Sequence, residues 1–416
     1  MTKPQTSSDS ALRGALVEEV SRSYWQTVSR AFYSSIAHRI AVGYILVLVA
    51  IAIFVPFIAN GRPFTAIVEG QRQFPLFKML TQIDLIVLIV GFAAIIHAIV
   101  HFFTRKRELA EDRAKPRRIS LLILFLASFL GTGGILMFKK DYNDLLSRED
   151  YKNIAPDYQV TNAHFTLISW GHNDSIYPKT EKALHQPPSR DHWLGTDASG
   201  RDTLARILWS TRIVFSIGLV SVSISLFIGI IYGALMGYFG GTVDILGSRF
   251  MELVNGIPTF FLIITFVAIF GRQIFIIMVI IGVTSWTGIA AFVRAEFFKL
   301  RRMDFVQAAV SQGLPLHSVL FRHMLPNALT PVLVNATFGI AGAVTIESSL
   351  SFLGLGVQPP TPSWGSMLNE AGNPAEIFHF WLALAPGMMI FLTIFAYNII
   401  GEGFRDAIDP RLNKIQ

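Results

Sequence analysis

Three carboxylates lie in or beside long apolar stretches of the sequence, where an acid can bind or transfer a proton: Asp84, Glu252 and Glu347. A carrier driven by an ion gradient usually places such an acid near the middle of the bilayer. It is also expected to contain matched half-repeats with broken helices. All three acids instead lie close to an end of a predicted span. The sequence therefore disfavours an ion-coupled secondary transporter or channel, and this class stays as the alternative.

Metal and nucleotide chemistry have little support in the sequence. His97 and His101 are four residues apart and could share a metal ion or a proton, but histidines near the end of a span are more often packed or interfacial. The chain has no cysteine, which excludes disulfides and thiolate ligands. The dipeptide Gly-Lys does not occur, so the chain has no GxxxxGK[ST] phosphate-binding loop. We predict no metal site, no cofactor and no ATPase activity in this chain.

A polar stretch between two apolar segments is suited to docking. Residues 304–331 read DFVQAAVSQGLPLHSVLFRHMLPNALTP. The pattern predicts a short amphipathic helix, a break at Gly313, and a second helix that starts near Pro315 and ends at Pro326. One face of the first helix carries residues spaced i, i+3, i+4 and i+7: Phe305, Ala308, Ala309 and Gln312. The stretch either docks in the groove of a soluble partner or lies on the membrane surface as a connector.

A second polar cluster lies where the chain re-enters an apolar stretch, within the sequence DHWLGTDASGRDTLARILW. Its residues are Gly195, Thr196, Asp197, Gly200, Arg201 and Asp202. Asp202 stands where it can cap a helix, because a carboxylate is favourable at a helix start. The cluster is therefore either a turn that leads into a capped helix, or part of an external gate or partner contact.

The composition indicates which elements must position these residues. Of the 416 residues, 52% are hydrophobic and 15% are charged, whereas a soluble domain carries about 25% charged residues. These values predict an all-α polytopic membrane protein. The formal net charge is +7, but the basic residues cluster at the ends of apolar segments, where they set orientation in the bilayer. We predict contact with membrane lipid and none with nucleic acid.

Apolar runs long enough to cross the ~30 Å hydrocarbon core predict eight spans, at residues 40–59, 83–103, 119–138, 212–238, 253–271, 274–293, 329–350 and 378–400. The loop between the second and third spans holds seven Lys or Arg residues, which is typical of a cytoplasmic loop. Alternate crossings then place the amino-terminal segment 1–39, the docking stretch 304–325 and the tail 403–416 in the cytoplasm. Residues 139–205 are expected outside, as a polar segment of turns. Residues 17–32 are a candidate interfacial helix.

The fourth predicted span contains regularly spaced glycines. Gly229, Gly233 and Gly237 recur every four residues, and small residues at this spacing let two helices approach closely in lipid. A helix-packing seam is favoured here over a substrate path.

Four sequence blocks, taken in order, resemble a known family. QAAVSQGLPLHSVLFRHMLPNAL is similar to the EAA coupling motif of permease subunits in binding-protein-dependent ABC importers. HWLGTDASGRDTLARIL, ESSLSFLGLGVQPPTPSWGSMLNEAG and GEGFRDAIDPRL resemble the C-type subunit of the dipeptide/oligopeptide permease family. The resemblance covers about residues 188–412. A weaker likeness, in GRPF…FPLFK and PPSRDHWLGTD, is to the subgroup that imports microcin C-like peptides.

This resemblance implies a type I ABC importer (MetI-like) permease core of about six helices over residues 206–402, in the bacterial inner membrane. It implies four kinds of interaction: with a second homologous permease, with two ATP-binding subunits that hold ATP and Mg²⁺, with a periplasmic solute-binding protein, and with lipid. Peptides or peptide-like solutes are the expected cargo. Coupling to the ATPase is expected at Phe305, Gln307, Ala308, Ala309, Gly313, Arg322 and Pro326.

Two features depart from the family pattern. Gln307 replaces the usual glutamate, so we expect hydrogen bonding rather than an ion pair with the ATPase. Residues 83–138 form an inserted hairpin, for which peripheral packing, a lateral partner and a lipid site are all open. A non-transporting membrane scaffold is favoured by this hairpin and by nothing else.

Overall fold

The computed structural model describes residues 24–104, 119–121, 151–152, 160–176, 184–372 and 378–408. Helices dominate these residues. They are α1 (Tyr24–Phe32), α2 (Ile36–Ile58), α3 (Pro75–Met79), α4 (Gln82–Thr104), α5 (Thr203–Phe239), α6 (Gly241–Asn255), α7 (Thr259–Phe270), α8 (Ile274–Thr284), α9 (Trp286–Leu300), α10 (Asp304–Ser311), α11 (Leu316–Phe352), α12 (Trp364–Ala371) and α13 (Phe380–Ile408). The helix predicted at residues 17–32 is present from Tyr24, and its first residues lie outside the described part.

Six helices in the described residues are long and apolar enough to cross a membrane: α2, α4, α5, the α8–α9 pair, α11 and α13. The span predicted at residues 253–271 is not a single straight helix in the structure. Gly256-Ile257-Pro258 separates α6 from α7, and the two helices meet at 74°. Proline removes a helical donor and fixes its own φ, so a sharp bend here is expected. The predicted span 119–138 lies outside the described residues except for 119–121, so the count of eight stays a prediction.

Helix α5 is the axis of the bundle and packs against α2, α8, α9 and α11. Its 37 residues extend over about 55 Å. The predicted span begins at Arg212, and the helix that contains it begins earlier, at Thr203. Asp202 caps this helix by accepting a hydrogen bond from the Ala205 N–H, as one of the two interpretations of the polar cluster predicts. We call this end of the bundle the Asp202 end. The opposite end is called the Asp304 end, where Arg301 donates to the Tyr238 carbonyl over 3.0 Å.

The regularly spaced glycines of α5 lie against α9. A Cβ added at Gly233 would come within 2.4 Å of the Ala290 carbonyl oxygen, and one at Gly237 within 2.5 Å of the Phe297 Cβ. Nearer the Asp202 end, the hydroxyl of Ser221 donates to the Met278 carbonyl of α8 over 2.8 Å. The small residues therefore let α5 pack backbone to backbone against its neighbours, as the spacing suggests.

A small sheet, which the sequence did not predict, pairs two strands from the stretch between α2 and α4 with one strand at residues 160–164. β1 (Thr65–Val68) lies between β2 (Gln71–Gln73) and β3 (Val160–His164), and both pairings are antiparallel. The buried side of the sheet packs Ala66, Val68 and Val160 against Tyr151. Strands of three to five residues are too short for a clear alternating pattern, and β3 lies in residues 139–205, for which the sequence predicted turns.

The docking stretch differs from the expectation in its second half. The predicted second helix does not end at Pro326, because α11 runs without a break from Leu316 to Phe352. Residues Val319–Met324 form a π-helix, in which the Leu325 N–H donates to the Leu320 carbonyl five residues earlier. Single π-helical turns occur within longer α-helices. Here Pro326 comes just after the π-helical turn, and the helix continues through it. Helix α13 likewise continues through Ile408, beyond the predicted boundary at residue 402.

Helix α4, which is the first helix of the predicted hairpin, is held to the bundle by a buried ion pair. Arg212 of α5 pairs with Asp84 of α4, and it also donates from Nε to the Ala52 carbonyl of α2 over 2.6 Å. That carbonyl has no helical donor because the residue four positions later, Pro56, has no N–H. Arg212 therefore joins three helices, and this part of the insertion is integrated into the bundle.

We expect Asp84→Asn to lower the free energy of unfolding by about 3–5 kcal/mol, because a buried arginine then loses its counter-charge. The measurement is unfolding of the purified chain in detergent. The matched control is Glu252→Gln, which breaks the exposed Arg249–Glu252 pair and should change stability by less than about 0.5 kcal/mol. Equal stability of the two variants would contradict the anchoring role of Arg212.

Candidate functional sites

Helix α10 at the Asp304 end presents one buried and one exposed face. Val306 is 1% exposed and Ala309 is 5% exposed, and both pack in a cluster with Phe297, Leu320 and other side chains of α9 and α11. Phe305 is 42% exposed, and Ala308 is exposed as well. The sequence predicted that Phe305, Ala308 and Ala309 share one face of this helix. In the structure only Ala309 packs inward, while Phe305 and Ala308 lie on the outer surface.

The break after α10 has the geometry that its glycine predicts. Gly313 has φ +72°, a left-handed conformation that costs glycine little. The Leu314 N–H returns to the Ala309 carbonyl over 3.2 Å, which closes the end of the helix. Gln307 donates from Nε2 to the Arg301 carbonyl over 2.7 Å. A glutamate at this position could not donate this bond, so Gln307 fixes α10 to the end of α9.

A shallow surface cleft lies beside α10, at the start of α11. It has a volume of about 470 Å³, and its lining residues are His317, Ser318, Phe321, Arg322 and Pro326. The Phe321 side chain is exposed, and Arg322 supplies a positive charge. The exposed face of α10 and this cleft form one surface, which we call the docking surface. It contains five of the seven residues predicted for coupling; of the other two, Gly313 lies in the break after α10 and Ala309 lies beneath the surface.

The six residues predicted at the other cluster are brought together at the Asp202 end. Asp197 accepts hydrogen bonds from the Ser199 N–H over 2.8 Å and from the Arg201 N–H over 2.9 Å. Gly195 has φ +73°, and a Cβ there would come within 2.3 Å of the Gln186 carbonyl oxygen. Thr196 exchanges two hydrogen bonds with the backbone of Gln186. The loop is therefore a tightly specified turn that leads into α5.

Two arginines and two carboxylates form a network on this turn. Arg201 donates from Nε to Asp197 over 2.8 Å and from Nη2 to Glu370 over 3.2 Å. Arg206 is 3% exposed; it pairs with Asp197 and contacts both oxygens of Glu370, one of them over 2.8 Å. The four formal charges cancel, which offsets part of the cost of burying them. The network joins the turn, α5 and α12, and we call it the four-charge cluster.

Two histidines also contribute to the electrostatics of this end. His192 is buried and lies 2.8 Å from Asp202; since a carboxylate can only accept, Nδ1–H of the histidine is the donor. Burial lowers the pKa of His172, whose ring lies 4.7 Å from that of Trp209. At neutral pH His172 is therefore uncharged, so it adds no positive charge next to Arg206.

Sequence reasoning missed Arg206, Glu370 and His192 as members of the site. Arg206 stands four residues after Asp202, a helical spacing that could have suggested a shared position. Glu370 is 164 residues from Arg206, and no local pattern connects them. In the described residues, no group of three or more His, Cys, Asp or Glu side chains could hold a metal ion.

Comparison with known proteins gives several matches. A family model described as "Binding-protein-dependent transport system inner membrane component" matches residues 229–414. The oligopeptide transport system permease protein OppC of Haemophilus influenzae is 42% identical over 220 residues, which are 53% of this chain and 70% of that protein. The inner membrane ABC transporter permease protein YejE of Escherichia coli (strain K12) is 37% identical over 269 residues, 64% of this chain and 78% of that protein.

Solved structures also match, and one of them is a methionine transporter. It is described as the MetNI methionine ABC transporter in inward facing conformations, and the match covers 50% of this chain and 96% of the other, with 17% identity and a TM-score of 0.37. This similarity is too low to support an inference about the present chain.

We expect Glu370→Gln to loosen the Asp202 end, because Arg206 then keeps one carboxylate instead of two. Amide hydrogen exchange in residues 195–201 and in α12 should become about tenfold faster, which corresponds to about 1.4 kcal/mol. Exchange in α10, at the opposite end, should stay unchanged. The matched control is Glu296→Gln, whose carboxylate lies 3.8 Å from Lys299 in a more exposed pair. Unchanged exchange at residues 195–201 would show that the cluster does not hold the turn.

Proposed function

We propose a transport mechanism on the premise that this chain belongs to the family of binding-protein-dependent transport system inner membrane components. The chain is the membrane-spanning permease subunit of an ATP-driven importer. Its cargo is assigned as peptides or peptide-like solutes, because relatives above 30% identity include the oligopeptide permease OppC of Haemophilus influenzae and the dipeptide permease DppC of Bacillus subtilis. ATP and Mg²⁺ are assigned to two partner ATP-binding subunits, since this chain has no phosphate-binding loop.

The docking surface carries the proposal. It combines an exposed Phe305, an exposed Ala308 and a cleft that contains Arg322, and an amphipathic helix of this kind fits a groove in a partner. We assign that groove to an ATP-binding subunit, with the Asp304 end and both termini in the cytoplasm. Gln307 already donates a hydrogen bond to the Arg301 carbonyl. Binding to the partner subunit then depends on the shape of the surface and on burial of the Phe305 ring.

A rigid connection leads from the docking surface into the membrane. Helix α11 starts in the docking cleft and continues to Phe352, about 55 Å away. Its first turns share one apolar cluster with α9 and α10, which includes Phe297, Val306 and Met324. Closure of the ATP-binding subunits would thus move α10 and α11 together, and α11 would carry the movement across the bilayer. This is the rigid-body motion that alternating access requires.

The four-charge cluster is proposed as the latch at the opposite, periplasmic end. Glu370 lies on α12, which packs against α11 and α13, whereas Arg206 lies on α5. When α12 moves away from α5, the bonds of Glu370 to Arg201 and Arg206 must break. We assign docking of the periplasmic solute-binding protein to this end, and the second homologous permease completes the solute path beside the present chain.

We expect Phe305→Ala to reduce ATPase stimulation by the solute-binding protein about tenfold in the reconstituted complex. The side chain would be buried on docking, and burial of a phenylalanine contributes about 1.5–3 kcal/mol. Substitution at Ala309 would be less informative, because that residue packs in the core of this chain and a larger side chain would disturb its fold.

The matched control is Phe77→Ala. Phe77 is 50% exposed and lies just before α4, in the segment assigned to the periplasmic side, so its removal should leave ATPase stimulation unchanged. If the Phe305 variant assembles normally and is fully stimulated, the coupling assignment is wrong.

A further inference from the structure

A buried carboxyl group lies in α11 away from both sites described above. Glu347 is 1% exposed. Its Oε1 accepts a hydrogen bond from the Ser351 hydroxyl over 2.7 Å. Its Oε2 is buried and forms no hydrogen bond of normal geometry among the described residues, and neither does the hydroxyl of Ser348, although the hydroxyls of Ser348 and Ser363 lie near the carboxyl group. A buried polar atom without a partner is unusual in a folded protein and requires an explanation.

The surroundings leave no room for bulk water. Trp364, the first residue of α12, is completely buried and donates from its indole N–H to the Ile207 carbonyl over 3.1 Å. Ser363 caps α12 and is also fully buried. A Cβ added at Gly365 would come within 2.4 Å of the Ser348 carbonyl oxygen. The carboxyl group therefore lies in a tightly packed contact between α11 and α12.

Among the described residues, no lysine, arginine or histidine forms an ion pair with Glu347. Helix α5 contributes Arg206 and Arg212, and each already pairs with other carboxylates. Helix α12 contributes only Glu370, which is committed to Arg201 and Arg206. Helix α8 carries no titratable side chain, and α9 carries its charges, Arg294, Glu296 and Lys299, towards the Asp304 end. Helix α13 has Tyr397, and its charged residues Glu402, Arg405 and Asp406 also lie near that end.

An ionised carboxylate in such a place would cost many kcal/mol, whereas a protonated carboxyl is neutral and gains an O–H donor. We infer that Glu347 is a binding site for one proton, which the folded permease keeps at neutral pH. The protonated acid is uncharged and lies where α11 contacts the start of α12. Glu370, at the other end of α12, pairs with Arg201 and Arg206. This site goes beyond the proposed transport mechanism, which uses no proton.

The same geometry favours a retained proton over a transported one. The charged side chains of α5, α9, α12 and α13 are either paired with each other or located towards the opposite end of the bundle. Among the described residues, no chain of charged groups therefore leads to Glu347. Glu347 is therefore a positioning group for α12.

The direct test is infrared spectroscopy of the full chain in lipid nanodiscs, as the difference between the wild type and Glu347→Gln at pH 7. We expect a protonated-carboxyl C=O band in the wild type that the variant lacks. Ser351→Ala keeps the acid but removes the hydrogen bond to Oε1, so the same band should persist and shift to higher frequency. This second variant identifies the band even if the first folds poorly.

Two results would overturn the inference. The first is a wild-type spectrum with carboxylate bands only at this position. The second is a thermal midpoint that rises with NaCl but not with choline chloride in the wild type, and with neither salt in Glu347→Gln. That pattern would show that Glu347 is ionised and binds a sodium ion. We expect the two salts to have equal effects on both proteins.

Discussion

Inside a membrane protein a backbone group or a charge without a partner is costly, and much of this structure depends on that constraint. Arg212 shows it most clearly. Proline at position 56 removes the helical donor to the Ala52 carbonyl, and the guanidinium of Arg212 bonds to that carbonyl while it pairs with Asp84. One side chain thus corrects a defect in α2 and fixes α4 to the bundle. Arg206 does similar work at the Asp202 end, with Asp197 and Glu370 as partners.

Helix α11 connects the docking surface to Glu347 and α12. It begins in the docking cleft with a π-helical segment, crosses the bundle, and carries Glu347 against α12. Helix α12 in turn holds the four-charge cluster through Glu370. In the proposed mechanism, movement at the docking surface reaches the opposite end through these two packed helices, and this route does not require any flexible loop among the described residues.

Much of this organisation follows from the sequence, because long apolar runs and amphipathic spacing are local signals. The first docking helix, Asp304–Ser311, was recognised from such spacing, and the cap at Asp202 from the residue type at a helix start. The small residues of α5 indicated close packing before any partner helix was known. These features involve neighbours along the chain.

The rest depends on contacts between distant residues or on small energetic preferences. Arg212 and Asp84 are 128 residues apart, and the sheet joins β1 to a strand that follows the inserted hairpin. The continuity of α11 was missed because Pro326 normally marks a helix boundary, and a π-turn that precedes a proline has no sequence signature. The inward orientation of Ala309 and the outward orientation of Ala308 depend on the contact with α9.

The most direct test of the account is whether Phe305 touches an ATP-binding subunit. The chain has no cysteine, so Phe305→Cys gives a single thiol that can carry a maleimide-linked photo-crosslinker in the assembled complex. The account predicts a cross-link from this position to an ATP-binding subunit, and none from Phe77→Cys at the other end of the bundle. An assembled complex in which Phe305→Cys gives no such product would contradict it.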